Sequence, residues 1–121
     1  MASLSKTVLV VDDEALLRLY ARDVLERAGF QVREASDGTE ALQVLSAYDD
    51  IDVLMTDVRM PGPVDGLALA HAMRRDHPAI RSLVVSGHAL AADAQKGDVD
   101  RFLPKPYCGE ALVAAVKSVL N

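Results

Sequence analysis

The regular alternation of short apolar runs with helical patterns is the feature of this sequence that most constrains its fold. Strands are predicted at Val8–Val11, Phe30–Glu34, Ile51–Thr56, Ile80–Val85 and Arg101–Leu103. Between and after them, apolar residues recur with helical spacing, which predicts helices at about 14–28, 37–48, 65–76, 90–96 and 109–120. Strands that alternate with helices form a parallel sheet covered on both faces, so the pattern predicts a (βα)5 fold of the α/β class.

The composition of the strands predicts their order in the sheet. The first, third and fourth strands are almost continuously apolar, which is typical of interior parallel strands. The second alternates apolar and polar residues and the fifth is short, as expected at the edges of a sheet. The predicted order is therefore 2-1-3-4-5, that of a flavodoxin-like doubly wound sheet. Such a sheet carries its site beyond the carboxyl ends of the strands, at the switch between strands one and three.

Length and charge narrow the class of protein further. The 121 residues are 50% hydrophobic, and they predict one domain, 1–121, with its own core. The net charge of −5 and the absence of a basic stripe argue against a nucleic-acid partner. With no apolar run long enough to span a bilayer and no signal peptide, we expect a soluble cytoplasmic chain without a membrane partner. The single Cys108 excludes an internal disulfide framework.

Polar side chains stand at the predicted carboxyl ends of four strands. Asp12 and Asp13 end the first strand, and Asp57 ends the third. Ser86 ends the fourth, and Lys105 follows the fifth. Because right-handed crossovers bring these ends to one edge of the sheet, we expect three carboxylates, a hydroxyl and an ammonium to share one cleft.

The expected cluster of carboxylates favours a hard divalent cation. Neighbouring carboxylates repel one another, and a ligand set made of oxygens suits Mg²⁺. His88 is the one histidine near these ends, so zinc is a poor match. Magnesium, a lysine and a hydroxyl together stabilise a transferring phosphoryl group. Asp57 is the best-placed carboxylate to accept that group as an acyl phosphate, which leaves Asp12 and Asp13 to hold the metal.

Five motifs stand in a fixed order along the chain: Val10-Val11-Asp12-Asp13-Glu14, Asp57 with Met60-Pro61-Gly62, Asp65-Gly66, Ser86-Gly87 and Lys105-Pro106. Together they resemble the receiver domain of two-component response regulators, and the resemblance covers essentially the whole chain. Each motif alone would be a weak signal, whereas the five in correct order and spacing are highly specific. The resemblance implies a signalling switch rather than an enzyme.

The resemblance also implies roles for individual residues. Asp57 would accept a phosphoryl group from the phosphohistidine of a sensor histidine kinase or a histidine phosphotransfer protein. Ser86 and Lys105 would bind the phosphoryl oxygens. The magnesium shell would be completed by waters around Asp12, Asp13, Asp57 and the backbone carbonyl of Arg59.

A second set of implied roles concerns the output of the domain. Phe102 would be the switch aromatic that turns inward when Ser86 shifts, and the bond before Pro106 would be cis. Phosphorylation would change the surface formed by predicted helix 90–96, strand 101–103 and the last helix. That surface would bind a downstream protein, which the sequence does not name, or support a phosphorylation-dependent homodimer.

Three departures from the family pattern bear on function. The loop Met60–Gly66 is one residue longer than the common form and is stiffened by two prolines. The interval from Ser86 to Lys105 is shorter than usual, so predicted helix 90–96 should be short, shifted or mobile. Arg59 and His88 flank the site at positions where a side chain can orient or block the attacking water, and we expect them to set the lifetime of the phosphorylated state.

Several alternatives stay open at the level of sequence. The chain could be a phosphorelay shuttle or a receiver excised from a hybrid kinase, although Met1 and the end after the last helix favour a stand-alone receiver without an output domain. An aspartyl-phosphate phosphatase of the haloacid-dehalogenase kind is disfavoured, because its Asp-x-Asp motif follows strand one, whereas Asp12 and Asp13 are adjacent. A flavodoxin-like cofactor carrier is disfavoured because no phosphate-cradling glycine loop is present.

Overall fold

The structure, a computed structural model, describes residues 5–87 and 99–120. All five strands belong to one parallel sheet in the order β2-β1-β3-β4-β5, which confirms the predicted fold class and strand order. In chain order, the elements are β1 (Thr7–Val11), α1 (Ala15–Arg27), β2 (Gln31–Ala35), α2 (Gly38–Ala47), β3 (Val53–Asp57), α3 (Gly66–Asp76), β4 (Arg81–Ser86), β5 (Arg101–Pro104) and α4 (Gly109–Leu120).

Helices cover both faces of the sheet because alternate residues of the strands point to opposite sides. On one face, Val8 and Val10 of β1 belong to a buried cluster with residues of α1 and α4. On the other face, Leu9 and Val11 are buried with residues of α2 and α3. The interior strands are therefore apolar on both sides, which explains why their sequences read as unbroken apolar runs.

The observed strands differ from the predicted ones by one or two residues at their ends, and at β3 and β4 the difference bears on the site. Predicted strand 51–56 is observed as Val53–Asp57, and predicted strand 80–85 as Arg81–Ser86. Pairing extends further because Asp57 lies opposite Val85 in the ladder and the next amide, that of Val58, donates to the Val85 carbonyl. Asp57 and Ser86 are thus the last residues of hydrogen-bonded strands, and the pairing of these strands holds their backbones in place.

Two helices begin at aspartates that cap them. Asp37 accepts a hydrogen bond from the amide of Glu40, and Asp65 caps α3 in the same way. The spacing of Asp37 and Glu40 is that of a capping box, but only half of the box forms, because the Glu40 carboxylate accepts from the amide and hydroxyl of Ser36 rather than from the amide of Asp37. The cap at Asp65 starts α3 close behind the end of β3.

Three further expectations concern the helix predicted at 90–96, membrane spans and the bond before Pro106. The predicted helix 90–96 lies outside the described residues. Among the helices of the described segments, none is long and apolar enough to cross a membrane. The peptide bond before Pro106 is cis, as the family resemblance implies.

Candidate functional site

Asp57 and Lys105 form an ion pair at the carboxyl edge of the sheet. The Lys105 ammonium donates to Asp57 Oδ2 at 2.8 Å, and the two side chains are only 24% and 14% exposed. Lys105 is held in place by its own amide, which donates to the Ser86 carbonyl at 2.8 Å. The ends of β3, β4 and β5 therefore combine to position one carboxylate and one ammonium.

Two more carboxylates lie beside this pair. Asp12, Asp13 and Asp57 each offer an oxygen within 4.8 Å of the others. Asp12 is largely buried, and its carboxylate accepts a hydrogen bond from the amide of Glu14 at 2.9 Å. Asp13 is exposed. The structure thus brings together the three carboxylates and the lysine that the sequence placed at separate strand ends.

The electrostatics of the cluster are those of crowded negative charge. Burial raises the pKa of Asp12, and the charges of Asp57 and Asp13 act in the same direction; the Glu14 amide and Lys105 only partly oppose them. Burial opposes the charge on Lys105, but the hydrogen bond and charge of Asp57, with further help from Asp12, outweigh it and raise the pKa of the ammonium. Lys105 therefore stays protonated, and one ammonium faces three carboxylates.

This donor set fits a magnesium ion. The converging ligand atoms are carboxylate oxygens, and among the described side chains the cluster holds neither a thiolate nor an imidazole. The excess negative charge is what a divalent cation compensates. Arg59 lies in the loop after β3 with its side chain exposed, and the ligand role of its carbonyl stays a prediction.

The backbone behind Asp57 is closely packed against the start of α3. The Gly66 amide donates to the Val58 carbonyl at 2.8 Å. A Cβ at position 66 would collide with the carbonyl oxygen of Asp57, so the position accepts only glycine without a backbone shift. The Asp65-Gly66 motif therefore caps α3 and at the same time fits the helix against the backbone of Asp57.

Two of the remaining predicted site residues lie on β4 and β5. Ser86 is buried at the end of β4, and Phe102 is half-buried beside a cluster that includes Val84. Tyr107 packs against Tyr20 with ring centroids 6.1 Å apart, and burial raises its pKa to about 12. His88 lies outside the described residues, so the structure does not place it.

One residue that contacts the site was missed in the sequence. Arg18, one turn into α1, donates from Nη1 to the backbone carbonyl of Asp12 at 2.6 Å. The signal in the sequence was an arginine placed one helical turn after Glu14, the last of the acidic residues Asp12–Glu14. An arginine on the surface of a helix is common, so this spacing carried little weight without the structure.

Comparison with known proteins gives the family. A model of the response regulator receiver domain matches residues 8–117. The sequence is 38% identical to part of the sensor kinase CckA of Brucella abortus (strain 2308), in an alignment covering 97% of this chain and 13% of that kinase.

Solved structures show the same similarity. The response regulator receiver protein of Sinorhizobium medicae WSM419 superposes with a TM-score of 0.87 at 36% identity, covering 97% of this chain and 95% of that one. The response regulator TrrA of Thermotoga maritima, solved in complex with Mg²⁺-BeF, superposes with a TM-score of 0.86 at 26% identity, covering 94% and 98%.

The chain belongs to the receiver domain family of two-component response regulators. Receiver domains are in general signalling modules that interact with histidine kinases or phosphotransfer proteins and bind Mg²⁺ at an acidic pocket. The chain spans only about an eighth of the curated relative CckA, so the activity of that kinase as a whole does not carry over to it.

The raised pKa of Asp12 yields a stability prediction. A carboxyl whose pKa is higher in the folded than in the unfolded chain destabilises the fold when ionised, and this penalty disappears as pH falls through the folded pKa. Asp12→Asn keeps an acceptor for the Glu14 amide and removes the charge. We expect it to raise the melting temperature of the metal-free chain at neutral pH, measured by thermal unfolding in a chelator.

Asp49→Asn is the matched control, because Asp49 is exposed and lies outside the cluster. It removes the same formal charge and should leave the melting temperature nearly unchanged. The gain from Asp12→Asn should shrink at acid pH, where the parent Asp12 is already protonated. An equal gain from both variants at neutral pH would show that net charge, and not the cluster, is responsible.

Proposed function

We propose that this chain accepts a phosphoryl group on Asp57, in the presence of Mg²⁺, from the phosphohistidine of a sensor histidine kinase or a histidine phosphotransfer protein. The observation that carries this proposal is the Lys105–Asp57 pair within a cluster of three carboxylates at the edge of the sheet. A carboxylate held at 2.8 Å from an ammonium is an acceptor with its charge-stabilising partner already in position.

The chemistry follows from the two oxygens of Asp57. Oδ2 accepts from Lys105, and the other oxygen of the carboxylate, Oδ1, would be the nucleophile. As it bonds to phosphorus, the bond from phosphorus to the imidazole nitrogen breaks, and the electron pair of that bond goes to the imidazole. The products are an acyl phosphate on Asp57 and an imidazole that takes up a proton from solvent to become the neutral histidine of the donor.

The other site residues stabilise the charge that moves with the phosphoryl group. The Lys105 ammonium and the Ser86 hydroxyl bind phosphoryl oxygens. Asp12, Asp13 and Asp57, with the Arg59 carbonyl, would hold Mg²⁺, which when bound neutralises charge on the carboxylates and the phosphoryl oxygens. The complex of TrrA with Mg²⁺-BeF supports a magnesium-dependent site in this related chain.

A surface for the donor protein lies next to the acceptor. The first half of α1 presents large apolar side chains to solvent: Leu16 is 81% exposed and Leu19 is 59% exposed. An adjoining groove of about 420 Å³, lined by residues that include Leu17, Tyr20 and Lys105, leads toward the site. Exposed apolar patches of this kind mark protein contacts, so we assign the start of α1 to the phosphodonor.

The output of the domain is proposed to be a change of binding surface. Ser86 lies on β4, and Phe102 lies on β5, the neighbouring strand at the edge of the sheet. Movement of Ser86 toward a phosphoryl oxygen would therefore reach Phe102. The surface formed by β5 and α4 would then bind a downstream protein or a second phosphorylated copy of the chain.

The phosphorelay alternative keeps specific support. The similarity to part of the sensor kinase CckA is consistent with a receiver that works within a hybrid kinase, or with a shuttle between histidine-containing proteins. A phosphatase of the aspartyl-phosphate type fits less well, because the lysine-paired carboxylate Asp57 lies on β3 and not in an Asp-x-Asp motif after β1.

The central prediction concerns the acceptor. Incubation with a small acyl phosphate or with a panel of autophosphorylated histidine kinases should add one phosphoryl group to the parent chain in the presence of Mg²⁺. Asp57→Asn should take none, because the amide is a poor nucleophile, and a chelator should abolish incorporation by the parent. Intact-mass spectrometry measures the product. A parent chain that stays unmodified with every donor would refute the proposed function.

The docking surface makes a separate prediction. Leu16→Gln combined with Leu19→Gln removes apolar area that would be buried against a donor protein, worth about 1.5 kcal/mol or more per leucine. We expect the rate of transfer from the cognate kinase at limiting receiver concentration to fall at least about tenfold. The rate with a small acyl phosphate should stay unchanged, because such a donor does not contact α1.

Tyr48→Gln is the control for this experiment. Tyr48 is 46% exposed and caps the end of α2, at the edge of the sheet away from the acceptor. It should leave both rates unchanged. Equal loss with the protein donor and the small donor would indicate damage to the site, and no loss with either donor would exclude this surface as the docking site.

The residues that flank the site make the last prediction of this section. Arg59→Ala and His88→Ala should change the rate at which the acyl phosphate hydrolyses, because side chains at these positions orient or block the attacking water. The decay of the phosphorylated chain is followed by mass spectrometry after removal of the donor. Parent, Arg59→Ala and His88→Ala with equal decay rates would contradict this role.

A further inference from the structure

Arg18 joins the acidic turn to the edge of the sheet. Its Nη1 donates to the Asp12 carbonyl at 2.6 Å, and its Nε donates to Glu34 Oε1 on β2 at 2.9 Å. The Arg18 and Glu34 side chains are only 20% and 27% exposed. Because the guanidinium is planar and its donors are fixed relative to one another, one side chain holds both partners in a single geometry.

The bond to the Asp12 carbonyl acts on the residue that follows. The peptide group between Asp12 and Asp13 is planar, so fixing the direction of the Asp12 carbonyl oxygen also fixes the direction in which the chain enters Asp13. The Asp13 side chain itself is exposed and makes no hydrogen bond or ion pair within the described segments. The backbone therefore fixes the direction of its Cα–Cβ bond.

The rest of the turn is anchored to the same strand. The amide of Asp12 donates to the Ala35 carbonyl of β2 at 3.2 Å, and Val10 lies opposite Glu34 in the β1–β2 ladder. Arg18 and Glu34 thus close a ring of contacts around the point where β1 ends and α1 begins. Arg22 donates to the other oxygen of Glu34 at 2.6 Å without contacting the turn.

We propose that Arg18 is a positioning residue for the magnesium site: by holding the Asp12–Asp13 peptide against Glu34 it directs the Asp13 carboxylate toward Asp12 and Asp57. This inference rests on the magnesium binding in the proposed function. Groups that orient metal ligands without touching the metal commonly change metal affinity by about tenfold or more when they are removed.

The direction of the change in Mg²⁺ affinity distinguishes a positioning role of Arg18 from an effect of its charge. Arg18 is a cation close to a cation site, so loss of its charge alone would strengthen the binding of Mg²⁺. Loss of its hydrogen bond to the Asp12 carbonyl would weaken it. A replacement that removes the guanidinium therefore gives opposite results under the two explanations.

The experiment measures Mg²⁺ affinity directly by isothermal titration calorimetry on the full chain, without any phosphodonor. Arg18→Met should raise the dissociation constant for Mg²⁺ about tenfold. Arg18→Lys keeps the charge but cannot hold both partners in one planar fork, so it should also weaken binding. Arg22→Met is the matched control, because it also removes a partner of Glu34, and it should change the dissociation constant less than about twofold.

Two further measurements make the outcome decisive. Thermal unfolding in a chelator should give similar melting temperatures for Arg18→Met and Arg22→Met, which excludes a general loss of fold as the cause. Unchanged or tighter Mg²⁺ binding by Arg18→Met, or equal weakening in both variants, would overturn the positioning role. If the parent shows no Mg²⁺ binding that Asp13→Asn abolishes, the magnesium part of the proposed function fails and this inference fails with it.

Discussion

Mutual repulsion among Asp12, Asp13 and Asp57 is the constraint around which the structure is organised. One ammonium, that of Lys105, faces these carboxylates, and it does not balance them. Without a bound cation the three carboxylates repel one another, and burial together with this repulsion raises the pKa of Asp12. Bound Mg²⁺ would offset part of this negative charge and a phosphoryl group on Asp57 would add to it, which is the physical reason to expect such a site to respond to phosphorylation.

The fold keeps these charges together by means of rigid apolar packing. Each interior strand is buried on both faces, so the polar residue that ends it or directly follows it is held close to its neighbours. The close fit between Gly66 and the Asp57 backbone adds a second restraint from α3. The packing that stabilises the core thus also keeps the carboxylates close together, whereas they would separate in a flexible chain.

Helix α1 connects three aspects of the proposed function. Its first turn follows the acidic pair, its exposed leucines form the surface assigned to the donor, and Arg18 ties the metal-binding turn to β2. Because these features lie on one helix, contact with a protein donor acts on an element that also determines the geometry of the acidic turn.

The sequence by itself determined the class of fold, the order of the strands and the set of residues at their carboxyl ends, because periodicity and apolar content depend on local burial. It also predicted that Asp57, Lys105 and the acidic pair Asp12 and Asp13 lie together at one edge of the sheet. Tertiary structure decided three features that the local sequence pattern does not contain. Ladder pairing extends β3 and β4 to Asp57 and Ser86. Ser36 donates hydrogen bonds to Glu40, and Arg18 donates one to the Asp12 carbonyl. These features depend on the separation and direction of groups from different elements, which are set only when the helices pack on the sheet.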